Sequence, residues 1–174
     1  LERVFLCNSG AEANENALAL ARRATGRTKI VAVSGGWHGR TAALLAVTDG
    51  ARYEQGARRA GLELARKVPF DDPAAFDAAV DDSVAAVILE PVQGMAGARA
   101  ASGEFLAAAR AACDRAGAAL IFDEVQCGTG RCGAFTSAES YGVTPDLLTL
   151  AKGLASGLPI GAVLINAAMA RGIA

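Results

Sequence analysis

An α/β fold built on a mostly parallel sheet is predicted by three features of the sequence. Short apolar or β-branched runs recur along the chain, long stretches rich in Ala, Leu, Arg and Glu separate many of them, and the runs are apolar at consecutive positions. Consecutive apolar residues mark strands covered on both faces, and strands that alternate with helices pair in parallel. The predicted strands are residues 4–7, 29–33, 84–89, 118–122, 147–150 and 160–165. Residues 11–25 and 104–116 have helical composition. In the first, Leu18, Ala21 and Arg22 divide an inner from an outer face, and Gly26 is the stop; Gly117 ends the second. The residues from 166 onward read as another helix beginning. Residues 50–67, which mix Arg52, Arg58, Arg59 and Arg66 with Tyr53 and Glu54, read as solvated surface rather than a binding stripe.

Composition narrows the functional classes. The 174 residues carry 17 basic and 18 acidic side chains, and 52% are hydrophobic, enough for the core of one domain or most of one. A net charge of -1 with no basic block leaves no footprint for a phosphate backbone, and 5% aromatics leave little to stack bases on, so nucleic acid is not expected as a partner. The apolar runs are far shorter than a membrane span, and the expected location is cytoplasmic. Cys7, Cys113, Cys127 and Cys132 are expected as reduced thiols. A metal is not expected either: there is one histidine, and Cys127 and Cys132 lack the spacing of a zinc knuckle. The chain opens without an initiator Met and closes inside a helical stretch, which reads as a piece of a longer protein.

In an open parallel sheet, ligands gather beyond the carboxyl ends of the strands. Four such ends carry unusual residues. After the first strand, Asn8-Ser9-Gly10-Ala11-Glu12 opens into a helix whose free N–H groups suit a phosphate, or it is an ordinary Ser or Asn cap. After the second, Gly35-Gly36-Trp37-His38-Gly39-Arg40 sets the only Trp and only His among three glycines. The ring could stack on a planar group and Arg40 could hold a carboxylate; alternatively, both are loop-surface residues. The strand over 118–122 runs into Asp123-Glu124-Val125-Gln126, and a carboxylate held there needs a proton-bearing or cationic partner. Downstream, Gly128-Thr129-Gly130-Arg131-Cys132-Gly133 fits a dinucleotide fingerprint poorly in context, since an acidic turn intervenes after the strand and only a short helical piece follows before Pro145. The strand over 147–150 closes on Ala151-Lys152-Gly153. A lysine among small residues at a strand end is either a desolvated nucleophile or a surface cap. Together, a phosphate cradle, a stacking ring, an acid for a pyridine nitrogen and a lysine for a Schiff base match the requirements of pyridoxal 5'-phosphate chemistry.

The chain also resembles a known family, the class III, ornithine-type aminotransferases of the pyridoxal-phosphate fold type I group. The matching stretches are CNSGAEANE from Cys7, WHGRT from Trp37, ILEPVQG from Ile88, IFDEVQCGTGR from Ile121 and GVTPDLLTLAKGLASGLPIGA from Gly142. The resemblance covers essentially the whole chain. It implies a three-layer α/β/α major domain, here incomplete, with an N-terminal segment and a C-terminal small domain outside residues 1–174. It implies Lys152 as the Schiff-base lysine and Asp123 as the partner of the pyridine nitrogen. Val125 and Trp37 are then on the two faces of the ring, with Trp37 where the family usually has Phe or Tyr. Gln126 is near the phenolic oxygen, Ser9, Gly10 and Ala11 are at the phosphate, His38 and Glu90 are beside the ring, and Arg40 is on the substrate α-carboxylate. The implied reaction moves an amino group from N-acetylornithine to 2-oxoglutarate, in arginine biosynthesis, within a homodimer. Ornithine, succinylornithine and 4-aminobutyrate are alternative donors, and glutamate-1-semialdehyde rearrangement an alternative reaction. A non-catalytic binding module is the alternative of another class. One departure stands out: where the family usually has a second glutamate after EPxQG, this chain has Met95.

Overall fold

The computed structural model describes residues 1–173. In chain order the elements are β1 (Arg3–Cys7), α1 (Gly10–Thr25), β2 (Lys29–Val33), α2 (Ala42–Leu45), α3 (Ala51–Arg59), β3 (Arg66–Val68), α4 (Ala75–Ala79), β4 (Val84–Leu89), β5 (Val92–Gln93), β6 (Arg99–Ala100), α5 (Gly103–Ala116), β7 (Ala119–Asp123), α6 (Ser137–Tyr141), β8 (Leu147–Leu150), a 3₁₀ turn (Lys152–Ala155), β9 (Gly161–Ile165) and α7 (Ala167–Ile173). Seven strands form one sheet in the order β1-β9-β8-β7-β4-β2-β3, and β5 and β6 form a separate small hairpin. The strands from β8 to β3 pair in parallel, whereas β9 is antiparallel to both its neighbours. β9 is therefore the one strand of the sheet that runs against the others.

Helices cover both faces, as the buried strands require. Along β4 and β7, Val87, Leu89, Leu120 and Phe122 face a cluster containing Phe76 of α4 and Phe105, Leu106 and Ala109 of α5. The intervening Ala86, Ile88, Ala119 and Ile121 face Ala13, Ala17, Leu18 and Ala21 of α1. Phe105 is wedged between Phe70 and Phe76, with ring centroids 5.9 and 4.9 Å away. Fully burying the Phe76 and Phe105 rings contributes about 2–3 kcal/mol each, so this pair, with the half-buried Phe70 against it, anchors α4 and α5 to the sheet.

The two long helices have the ends that their sequences encode. Ser9 Oγ accepts from Glu12 N at 3.1 Å and Gly26, at φ 68°, closes α1; Ser102 Oγ accepts from Phe105 N and Gly117, at φ 66°, closes α5. Two expectations change. Residues 3–6 of β1 are exposed, not covered on both faces, because β1 is an edge strand paired only with β9. Residues 50–67 are surface as expected, with Arg52, Arg58, Arg59 and Arg66 exposed, but they are ordered into α3 and the start of the edge strand β3. All four cysteines are free thiols, and burial pushes Cys113 and Cys127 up to about 12.

Candidate active site

The carboxyl ends of β1, β2, β4, β7 and β8 meet around a cavity of about 570 Å³. Its lining includes every candidate site residue read from the sequence: Ser9, Gly10 and Ala11 at the start of α1, Trp37, His38 and Arg40 after β2, Glu90 after β4, Asp123, Val125 and Gln126 from β7 onward, and Lys152 after β8. Leu158, Pro159 and Ile160, which lead into the reversed strand β9, close one side.

Asp123, the last residue of β7, is 2% exposed and heavily partnered. His38 Nδ1 donates to its Oδ2 at 2.8 Å, Asn14 Nδ2 donates to the same oxygen at 2.7 Å, and Val125 N donates to Oδ1 at 3.0 Å. The partner that a buried carboxylate demands is thus His38, with an amide beside it. His38 is itself 2% exposed and its Nε2 has no partner among the described residues. Gly36 makes room for the ring: a Cβ there would lie 2.8 Å from His38 Nε2 and 2.9 Å from Val33 O.

The adjacent carboxylates Asp123 and Glu124 serve opposite sides of the sheet end. Glu124 turns away from the cavity and accepts from Ser137 N at 2.7 Å and Ala138 N at 2.9 Å, capping α6, and burial raises its carboxyl above the ordinary value. Glu90 stays in the cavity. Its Oε1 accepts from Trp37 N at 2.7 Å, and burial, followed by the charge of Asp123, pushes its carboxyl up to about 7. Gln93 Nε2 donates to Ser34 O at 2.9 Å, so two side chains from the β4–β5 segment hold the loop that carries Trp37 and His38.

Ser9 is the ordinary cap, since its hydroxyl accepts from Glu12 N. The phosphate reading therefore rests on the Gly10 and Ala11 N–H groups, which lie in the first turn and have no intrahelical acceptor. Gly10 packs flat against Val125: an added Cβ would come within 2.5 Å of Val125 Cγ1. Trp37 meets Tyr53 edge-on, with centroids 5.1 Å apart, which fixes its ring at the cavity wall. Arg40 is exposed at the mouth and makes no ion pair among the described residues.

Lys152 departs from the sequence reading in one respect. It lines the cavity, at the unusual φ of 44°, but it is exposed, so these residues do not supply the desolvation invoked for it. Its position, not burial, connects it to the site. Two residues were missed: Asn14 and Thr149, 1% and 0% exposed, whose side chains join each other at 2.6 Å behind Asp123. The signal for Asn14 was a polar residue on the apolar stripe Ala13-Ala17-Leu18-Ala21 of α1.

The description "Aminotransferase class-III" matches this chain over residues 1–174. The chain belongs to the class-III aminotransferase family. Within that family it is 43% identical to an acetylornithine aminotransferase of Methanocaldococcus jannaschii over 99% of this chain and 45% of the relative. Its fold matches the N-acetylornithine aminotransferase of Stenotrophomonas maltophilia with a TM-score of 0.80 at 37% identity, covering 98% of this chain and 43% of that one. It also matches an amine transaminase from an uncultivated Pseudomonas species in a pyridoxal-phosphate-bound form, with a TM-score of 0.85 at 31% identity, covering 98% and 45%. The chain spans less than half the length of the curated relatives it matches. Family membership agrees with the three-layer architecture and with a cavity at the strand carboxyl ends. The dinucleotide fingerprint is excluded structurally, since Gly128–Gly133 lies in an irregular loop and no helix begins before Ser137.

Proposed function

We propose that this chain is the cofactor-binding part of an aminotransferase that uses pyridoxal 5'-phosphate to move an amino group from N-acetylornithine to 2-oxoglutarate, in arginine biosynthesis. The observation that carries the reading is the convergence of Asp123, Lys152 and the start of α1 on one cavity. In its full form the protein is proposed to be a cytoplasmic homodimer, with the remaining acceptor-binding groups supplied outside residues 1–174. The names of the relatives support the choice of donor.

The cavity fits the cofactor in shape and polarity. The Gly10 and Ala11 N–H groups, with no intrahelical acceptor, are free for an anion, Val125 packed against Gly10 offers an apolar wall, and Asp123 lies on the floor held by His38 and Asn14. When bound, pyridoxal phosphate supplies a ring that withdraws electrons from the substrate carbon. Asp123, pinned by three N–H donors, would be the residue that holds the ring nitrogen and keeps a proton on it. Lys152, reaching the cavity from the turn after β8, would be the amine that holds the cofactor and moves a proton beside it. Gln126 and Glu90 give polar support at the ring, and Arg40 at the mouth takes the substrate α-carboxylate through its fork of donors.

The test uses the chain's three lysines, Lys29, Lys67 and Lys152. The chain is incubated with pyridoxal phosphate, reduced with borohydride, digested and mapped by mass spectrometry. A pyridoxyl group concentrated on Lys152, and lost in Lys152→Ala, supports the reading. Equal labelling of Lys29 and Lys67 overturns it. Turnover by the full-length protein with a panel of ω-amino donors then tests the substrate, and faster turnover of another donor would replace N-acetylornithine.

A further inference from the structure

We infer that Asn14 is a positioning residue that fixes the Asp123 carboxylate for its work on the ring nitrogen, an inference that rests on the cofactor reading above. Both ends of the Asn14 amide are committed. Nδ2 donates to His38 O at 2.9 Å and to Asp123 Oδ2 at 2.7 Å, and Oδ1 accepts from Thr149 Oγ1 at 2.6 Å. The backbone carbonyl of His38 can only accept, so it settles which end of the amide is the NH₂ group. With both amide hydrogens used, the one directed at Asp123 cannot turn away without leaving a buried donor unmade.

The arrangement ties three elements together behind one carboxylate: α1 through Asn14, the β2–α2 loop through His38 and β8 through Thr149. All four side chains are at most 2% exposed, so water cannot substitute for a lost partner at no cost. The amide is also the right chemical type. It is neutral and donates to Asp123, whereas a carboxylate at position 14 would have no hydrogen to give and would set a like group against it.

The test separates positioning from packing with two ligands and a ligand-free signal. Binding to the chain is measured for pyridoxal phosphate and for its analogue with C–H in place of the ring nitrogen. Asn14→Asp is expected to weaken pyridoxal phosphate by about ten- to hundredfold, the range for a lost hydrogen bond to a charged group, and to change the analogue's affinity far less. Thr149→Val, which keeps shape and removes the donor that holds the Asn14 oxygen, is expected to show the same selectivity with a smaller loss. Equal losses for both ligands, or no loss, overturn the inference. Without ligand, His38 is the single histidine of the chain, so its Nδ1 nitrogen resonance needs no assignment. Thr149 has no hydrogen bond to His38 among the described residues, but it donates to Asn14 Oδ1 at 2.6 Å and to Asp123 Oδ1 at 3.5 Å, so a resonance shift in Thr149→Val reaches His38 through the Asp123 carboxylate that both hold. An unmoved resonance refutes the coupling. Failure of the unaltered chain to label at Lys152 removes the cofactor reading instead, and the ligand-free signal, read in Asn14→Asp beside Thr149→Val, still decides whether Asn14 positions Asp123: a resonance moved by Thr149→Val but not by Asn14→Asp overturns it.

Discussion

Replacing Glu90 by Gln should make the protein more stable above neutral pH and remove part of its pH dependence. Glu90 is buried against Asp123, and its carboxyl is pushed from 4.5 up to about 7 by burial first and by the Asp123 charge second; the nearby His38 and the Trp37 N–H act in the opposite direction. A raised acid binds its proton more tightly in the folded state than in the unfolded chain. Between pH 4.5 and about 7 the folded protein therefore holds the extra proton, and stability falls as pH rises through that window. Each tenfold difference in proton affinity between the two states corresponds to about 1.4 kcal/mol, so the full loss approaches about 3 kcal/mol by pH 8. Gln keeps an oxygen to accept from Trp37 N, as Glu90 Oε1 does at 2.7 Å, without the charge. Urea unfolding of Glu90→Gln and the unaltered chain at steps from pH 4.5 to 8 measures the difference directly. Glu124, also raised by burial, contributes equally to both proteins and cancels. The two should be nearly equally stable at the acid end, with the variant ahead by about 1–3 kcal/mol at the alkaline end. A difference that does not change with pH, or an unaltered chain that is the more stable above pH 7, refutes the reasoning.

Gly10→Ala should abolish selective labelling of Lys152, since its Cβ would sit 2.5 Å from Val125 Cγ1 on the cavity wall, and should cost about 1–3 kcal/mol in a urea melt as overpacking. Glu124→Ala should leave the Ser137 and Ala138 N–H groups without their acceptor and lower stability by about 2 kcal/mol, while pyridoxal phosphate binding to the folded fraction stays within a few-fold. Arg27→Met should loosen the seam where its guanidinium joins Val84 O at 3.1 Å and Ala116 O at 2.7 Å, read as faster amide exchange at the starts of β4 and β7 and a loss of about 1–3 kcal/mol.

What could be read from the sequence follows the physics of each element. β2, β4, β7 and β8 were legible because strands covered on both faces are written as unbroken apolar runs, and α1 and α5 because Gly26 and Gly117 mark their ends. β3, β5 and β6 were not, since two or three residues at an edge or in a hairpin carry no pattern of their own. Helices α2, α4 and α6, of four or five residues, are set by tertiary contacts. The candidate residues read from the strand ends line one cavity because sheet topology collects them there. Asn14 and Thr149 escaped because their roles depend on which way α1 is rotated against β8, a quantity that no local pattern states. Lys152 shows the reverse error: small neighbours suggested enclosure, but they sit in an open turn.

The bond between Asn14 and Thr149 spans 135 positions of the chain, and that between His38 and Asp123 spans 85. The floor of the cavity thus consists of contacts that become possible only long after their first partner has left the ribosome. A nascent polypeptide can seat α1 and the Trp37 loop on β4 and β7 as these emerge, but the Asn14 oxygen meets its donor only when β8 follows. Ligand affinity for this cavity therefore reports the joining of β8 to the sheet, since Thr149 behind the floor and Lys152 on the wall both arrive with it.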